Sequence, residues 1–220
     1  MTKNQKNFLM DGKRKLVLLF AKVKMIPMHK QIYADEAGFF PNDAHNFGRS
    51  RVGKRLFRKR KRRGRKYTLH TYGKENIVLH WELRGNNAND SQVCTVMNSV
   101  TKKLEKDDIL LWDRLGKSGR CKNPKSQHYN PKVVESVRRC GADVWYLPPK
   151  GKYFNPMELL FNDLKSYYIR PAYGRNYKEL SKYQLARIIG KYMREVASHK
   201  LPGFFRARAN GRDAERLKLF

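Results

Sequence analysis

Acidic residues are scarce in this sequence. Its 19 Asp and Glu stand against 49 Lys and Arg, which leaves a net charge of +30. Such a surplus opposes compaction by self-repulsion and calls for a polyanionic partner, with nucleic acid ahead of an acidic membrane. Cysteine is also rare. Cys94, Cys121 and Cys140 make no disulfide framework, and although His128 lies near two of them, no paired C-x-x-C spacing supports a zinc site. No stretch approaches the roughly 20 apolar residues of a membrane span. The run Leu16–Ala21 is too short and too far inland for a signal-peptide core, so an intracellular location is expected. Gly116-Lys117-Ser118 invites a phosphate-loop reading, but the glycine required five residues earlier is Leu111, which excludes it.

What remains is a chain of 220 residues, enough for one α/β domain with a real core. Residues 1–29 form a basic N-terminal segment with one apolar patch, too short for a helix-turn-helix plus a linker. Gln31 to Asp35 reads as a strand, and Asp35-Glu36-Ala37-Gly38 as the turn that closes it. By itself, an acidic pair at a strand end is more often a solvated turn than a functional carboxylate, so Asp35 alone does not mark a site. From Arg49 to Lys66 twelve basic residues occur in eighteen without an acid: Arg49, Arg51, Lys54, Arg55, Arg58, Lys59, Arg60, Lys61, Arg62, Arg63, Arg65 and Lys66. The block suits a phosphate-binding arm first; a localisation signal or a solubilising segment is the compatible, blander reading.

Tyr67–Tyr72 and Asn76–Leu83 are spaced as a β-hairpin. A helix is expected from about Asn89 to Glu105, then an almost wholly apolar strand, Ile109 to Asp113, that ends in one carboxylate. Buried parallel strands read this way, and α/β sheets place their chemistry at such ends. Residues 114–130 form a polar loop, 131–139 a short helix, and 143–147 another strand. A C-terminal helix, Glu179–Ser198, ends near Pro202-Gly203 and leaves a basic tail, so that 30–175 is the main domain and 176–220 its helical extension.

The most informative stretch runs from Leu147-Pro148-Pro149 to Asn155-Pro156-Met157-Glu158. Asn155 suits a helix N-cap, Pro156 the first helical position, and Glu158 completes a capping-box pattern. Met157, Leu160, Phe161, Leu164 and Tyr168 then recur at helical spacing. Glu158 is either a capping carboxylate or a metal ligand presented from a first helical turn.

The element order gives an α/β fold of the ribonuclease-H-like type, a mixed sheet flanked by helices. In that arrangement the first and fourth strands are neighbours, which sets Asp35 beside Asp113, with Glu158 available from a helix on the sheet. Three clustered carboxylates repel one another, by about 4 kcal/mol per pair at ~4 Å and an effective dielectric of 20. A cation relieves this, and hard oxygen donors select Mg²⁺ or Mn²⁺, two of which can drive phosphodiester chemistry.

These residues resemble the DDE-type transposases of the Tc/mariner superfamily, particularly their insertion-sequence-like branch. Leu147-Pro148-Pro149 … Asn155-Pro156-Met157-Glu158 looks like the family's third-carboxylate signature at identical length. Tyr33-Ala34-Asp35-Glu36-Ala37-Gly38-Phe39 looks like its first-Asp strand, and Leu110-Leu111-Trp112-Asp113 like its second. The resemblance covers about residues 30–205. It implies Asp35, Asp113 and Glu158 as catalytic and metal-binding residues, two Mg²⁺ or Mn²⁺ ions, and DNA as partner, both transposon ends and target. It also implies a homodimer on DNA, no membrane, and a location in the nucleus of a eukaryote or the cytoplasm and nucleoid of a bacterium. Arg114-Leu115 departs from the Asn-Ala that usually follows the second Asp, and the spacer to Glu158 is longer than usual, with 114–127 as the inserted loop if His128 matches the family's histidine. An inactive or domesticated DNA-binding derivative and an RNA-processing nuclease of the same fold stand as alternatives.

Overall fold

The computed structural model describes residues 3–40, 51–54, 66–85, 90–113, 131–148, 151–172 and 180–209. The basic block from 55 to 65 and the loop 114–130 lie outside the described residues, as do Arg49 and the tail from 210 onward.

Five strands form one mixed sheet: β1 (Gln31–Phe39), β2 (Tyr67–Lys74), β3 (Ile77–Arg84), β4 (Ile109–Asp113) and β5 (Asp143–Leu147). Their spatial order is β3-β2-β1-β4-β5, with β1 antiparallel to β2 and parallel to β4. The expected hairpin is present, Thr68 pairing with Arg84 and Lys74 with Ile77. This is the ribonuclease-H-like architecture expected from the element order.

Strand alternation sorts the side chains into two cores. Ile32, Ala34, Leu110, Trp112 and Val144 face the side covered by α2 (Asp90–Thr101) and α3 (Pro131–Arg139). Tyr33, Ala37, Phe39, Leu69 and Leu111 face the other side. That side is covered by α4 (Pro156–Asp163), α5 (Lys182–Glu195) and α6 (Ala197–Ala209). Through Leu185, Ile189, Tyr192, Leu201 and Phe205 the C-terminal helices share a core with α4 and the sheet.

Three local expectations are corrected. β1 does not turn at Asp35; it continues through Gly38 to Phe39, because β2 pairs with it residue by residue from Tyr33 to Phe39. Cross-strand pairing outweighs the local turn chemistry of an Asp-Glu-Ala-Gly sequence. α2 ends at Thr101 rather than Glu105, since Asp108 Oδ2 accepts the Glu105 amide at 2.7 Å and draws it out of helical bonding.

The third correction is at the C-terminus. The helical path breaks at Val196, not at Pro202-Gly203, and Pro202 lies inside α6. A helical proline costs about 3 kcal/mol, which burial of Leu201 and Phe205 on either side offsets. The N-terminal segment, whose secondary structure the sequence leaves open, contains a long helix, α1 (Lys3–Lys24). It docks through Leu16 and Phe20 onto Phe154, the Phe20 and Phe154 rings lying 4.7 Å apart.

Candidate active site

In the parallel register of β1 and β4, Tyr33 stands opposite Leu111 and Ala34 opposite Trp112. One step further along both strands come Asp35 and Asp113. Alternation puts position 35 on the face of Tyr33 and Ala37, and position 113 on the face of Ile109 and Leu111. Both therefore belong to the face that α4 covers. The Asp113 side chain lies outside the described residues. Asp35 is half-buried, and its Oδ1 accepts the backbone amide of Glu36 at 2.7 Å.

Helix α4 brings Glu158 to this face. A 3₁₀ turn, Gly151–Phe154, feeds into Asn155, whose side-chain oxygen accepts the Met157 amide at 3.0 Å. Asn155 is thus the N-cap and Pro156 the first helical residue, as expected. Among the described residues no bond returns from the Glu158 carboxylate to the cap, so the reciprocal half of the capping box is not made. Loss of the cap through Asn155→Ala should cost about 1 kcal/mol, read as a lower urea midpoint with an unchanged slope.

Packing fixes the height of α4 on the sheet. Met157 presses on Gly73, where a Cβ would come within 2.8 Å of the Met157 methyl, and Gly73 pairs with Tyr33. Phe161 meets the Phe39 ring edge-on at 6.4 Å. Asp35 lies between these two contacts along β1. At the far end of α4, Asp163 accepts from Tyr192 Oη at 3.0 Å and from Lys200 Nζ at 2.8 Å. Burial and the neighbouring Asp163 both push the Tyr192 hydroxyl up, so it stays a donor throughout the physiological range.

Two cations near this helix escaped the sequence reading. Lys165 follows Glu158 by two helical turns on the same side and lies over the Phe39 ring, 4.8 Å from its centre. A spacing of seven residues on one helix was the signal available for it. Arg208, at the end of α6, is half-buried beside Pro156, Tyr33 and Gln31. Burial lowers the pKa of its guanidinium, and the field of Glu158 works in the opposite direction.

Other ionic clusters have a structural character. His70, buried in β2, sits 3.1 Å from Glu36 on the opposite face of the sheet from Asp35. Lys30, Lys74, Glu105 and Asp108 form a network that involves the start of β1 and the residues leading into β4. Among the described residues no three His, Cys, Asp or Glu side chains converge as a metal centre. Of the basic block, Arg51, Lys54 and Lys66 are described and exposed, and the Lys66 stem lies across Gly38, three residues beyond Asp35.

A sequence profile of the DDE superfamily endonucleases matches residues 30–181. The chain belongs to this family. Solved structures agree on the fold of this DDE-superfamily chain. It is similar to the Mos1 transposase paired-end complex with left transposon end, with a TM-score of 0.57, 16% identity, and coverage of 96% of this chain and 62% of that one. The Mos1 paired end complex with Mg gives 0.57, 16%, 96% and 63%. The isolated catalytic domain of Mos1 mariner transposase gives 0.54, 14%, 96% and 94%. The DDE-superfamily chain thus spans 62% of the Mos1 chain in the paired-end complex. No curated protein matches its sequence. No described helix is long and apolar enough to cross a membrane.

Proposed function

We propose that this chain is the catalytic domain of a transposase, cutting DNA strands and joining them through a site built on Asp35, Asp113 and Glu158. The observation that carries the reading is the β1–β4 register, which brings two carboxylate positions side by side on the face beneath α4. Hard carboxylate oxygens on one sheet face and one helix turn form a donor set that fits Mg²⁺ or Mn²⁺ and does not suit a soft metal. Two such ions, when bound, would supply the Lewis acidity that activates an attacking water or 3′-hydroxyl and steadies the leaving oxygen.

The chain's own residues do the remaining work. Asp35 and Asp113 would present oxygens from rigid strand positions, and Glu158 from the capped first turn of α4. Lys165, whose ammonium group lies over the Phe39 ring, would be a further cation near the strand being cut. The basic block would hold the duplex backbone without reading sequence. Its exposed ends at Arg51, Lys54 and Lys66 support that role. We propose transposon ends and target DNA as partners, two protomers on the paired ends, and residence wherever the host keeps its DNA. The Mos1 complexes, with transposon ends and with Mg or Mn, support this by analogy of fold.

The deciding experiment is a nicking assay on duplex DNA and on RNA–DNA hybrid, with Mg²⁺ and with EDTA. Metal-dependent cutting of duplex DNA is expected. DNA binding with no cutting in any buffer would favour the domesticated reading, for which Arg114 directly after Asp113 speaks. A preference for the hybrid would favour RNA processing.

The basic block carries a separate expectation. Each phosphate it neutralises adds about −0.9 to the slope of log affinity against log salt. Replacing six of its Lys and Arg with Gln should flatten that slope and weaken all duplex sequences alike. An unchanged slope would show that the block does not touch DNA.

A further inference from the structure

β2 runs antiparallel to β1, and Thr71 is the residue directly across from Asp35. Alternation puts Thr71 on the same face, with Leu69, and its partner in β3, Trp81, packs against the core of that face as well. Two residues further along β2, Gly73 carries Met157, so α4 roofs this part of the sheet. Thr71 is completely buried, at 0% exposure, and its hydroxyl has no hydrogen-bond partner among the described residues. A valine has almost the same shape and would fill the place without the cost of a desolvated hydroxyl. Beside a candidate metal ligand, such a hydroxyl points to a bond made only when the site is occupied.

We propose that Thr71 is a positioning residue for Asp35, its hydroxyl donating to the carboxylate when that carboxylate holds a divalent ion. This rests on the reading of Asp35 as a metal ligand. In this structure Asp35 Oδ1 accepts the amide of its own neighbour Glu36 at 2.7 Å, a bond that ties the carboxylate back along its strand. Residues directly opposite on an antiparallel pair have Cβ atoms about 4.5–5.5 Å apart, a gap that one hydrogen bond between a hydroxyl and a carboxylate spans. A donor held in the partner strand then fixes the orientation of the loaded carboxylate, as outer hydrogen bonds commonly do for metal ligands. The bond is charge-assisted and shielded from water, so its loss is felt in metal affinity. Glu36 and His70, the next pair in the register, meet at 3.1 Å on the opposite face and hold the two strands together at this point.

Calorimetric titration of Mn²⁺ in the absence of DNA tests this on the native chain, Thr71→Val, Thr71→Ser and Asp35→Asn. Thr71→Val should bind Mn²⁺ roughly tenfold more weakly than the native chain. Thr71→Ser keeps the hydroxyl and should bind close to the native chain, which separates the bond from the packing of the methyl group. Without metal, Thr71→Val should unfold at the same or a higher urea concentration, because the hydroxyl it removes has no partner there. Native affinity in Thr71→Val overturns the proposal, and so does an equal loss in Thr71→Ser. A lower urea midpoint for metal-free Thr71→Val also overturns it, since the hydroxyl would then serve the fold. If Asp35→Asn leaves Mn²⁺ affinity unchanged, Asp35 is no ligand and both readings fall. If Asp35→Asn weakens binding while Thr71→Val does not, only the role of Thr71 falls.

Discussion

Glu158→Gln should lower strand cleavage by orders of magnitude while duplex DNA binding in EDTA stays at its native level. Gln has almost the shape of Glu and suits the same place in a helical first turn, so the cap from Asn155 and the packing of Met157 survive. What disappears is one anionic oxygen of the ligand set. A bound ion stabilises the fold only as far as it prefers the native state, so the rise in melting temperature on adding Mn²⁺ should shrink with it. Without metal, stability should hold or increase, because a crowded carboxylate group loses one repelling member. Parallel measurements of nicking rate, Mn²⁺-dependent melting and EDTA-resistant DNA binding separate these effects. A Glu158→Gln protein that nicks DNA at the native rate would refute the metal-site reading.

Phe205→Ala should be the most destabilising of the packing changes considered, at about 3–5 kcal/mol. The ring is buried, stands edge-on to Tyr33, and belongs to the core shared by α4, α5, α6 and the sheet. Domains of this kind keep only about 5–15 kcal/mol in hand, so the loss is a large share of the total. Urea unfolding measures it, with Tyr183→Ala on the exposed side of α5 as a control that should stay within about 0.5 kcal/mol. A cost below about 1 kcal/mol for Phe205→Ala would mean that α6 is not anchored on the sheet in solution.

The parts of the fold that could be read in advance were those in which local and tertiary preferences agree. Ile109-Leu110-Leu111-Trp112 has nothing polar to offer a surface, so a buried parallel strand ending at Asp113 was its simplest form. Asn155-Pro156 announces a helix start by cap chemistry alone, and the structure makes that bond. Asp35 was harder. Its neighbours Glu36, Ala37 and Gly38 look like a turn, and only the partner strand β2, more than thirty residues away, makes them extended. Pro202-Gly203 failed in the same way, because Leu201 and Phe205 bury what the proline disfavours.

The candidate site divides along the same line. Asp113 and Glu158 sit in local patterns that have a meaning by themselves, whereas the adjacency of Asp35 and Asp113 is a property of sheet order. Lys165 was open to a helical-spacing argument. Arg208 was not, since only the docking of α6 brings it beside Pro156 and the start of β1.

Under the proposed function, the arrangement of β1 bears on when during synthesis the chain could begin to cut DNA. β1 is made early, yet one of its edges must wait for β4 and its outer face for α4, and the core on that face is closed by Leu201 and Phe205. If the basic block binds DNA as proposed, a ribosome that has translated it would have exposed a DNA-binding segment well before the proposed cutting centre could form. On the proposed reading, emergence of α6 would set the moment of competence, and a chain stalled or cleaved before that helix would bind DNA without cutting it.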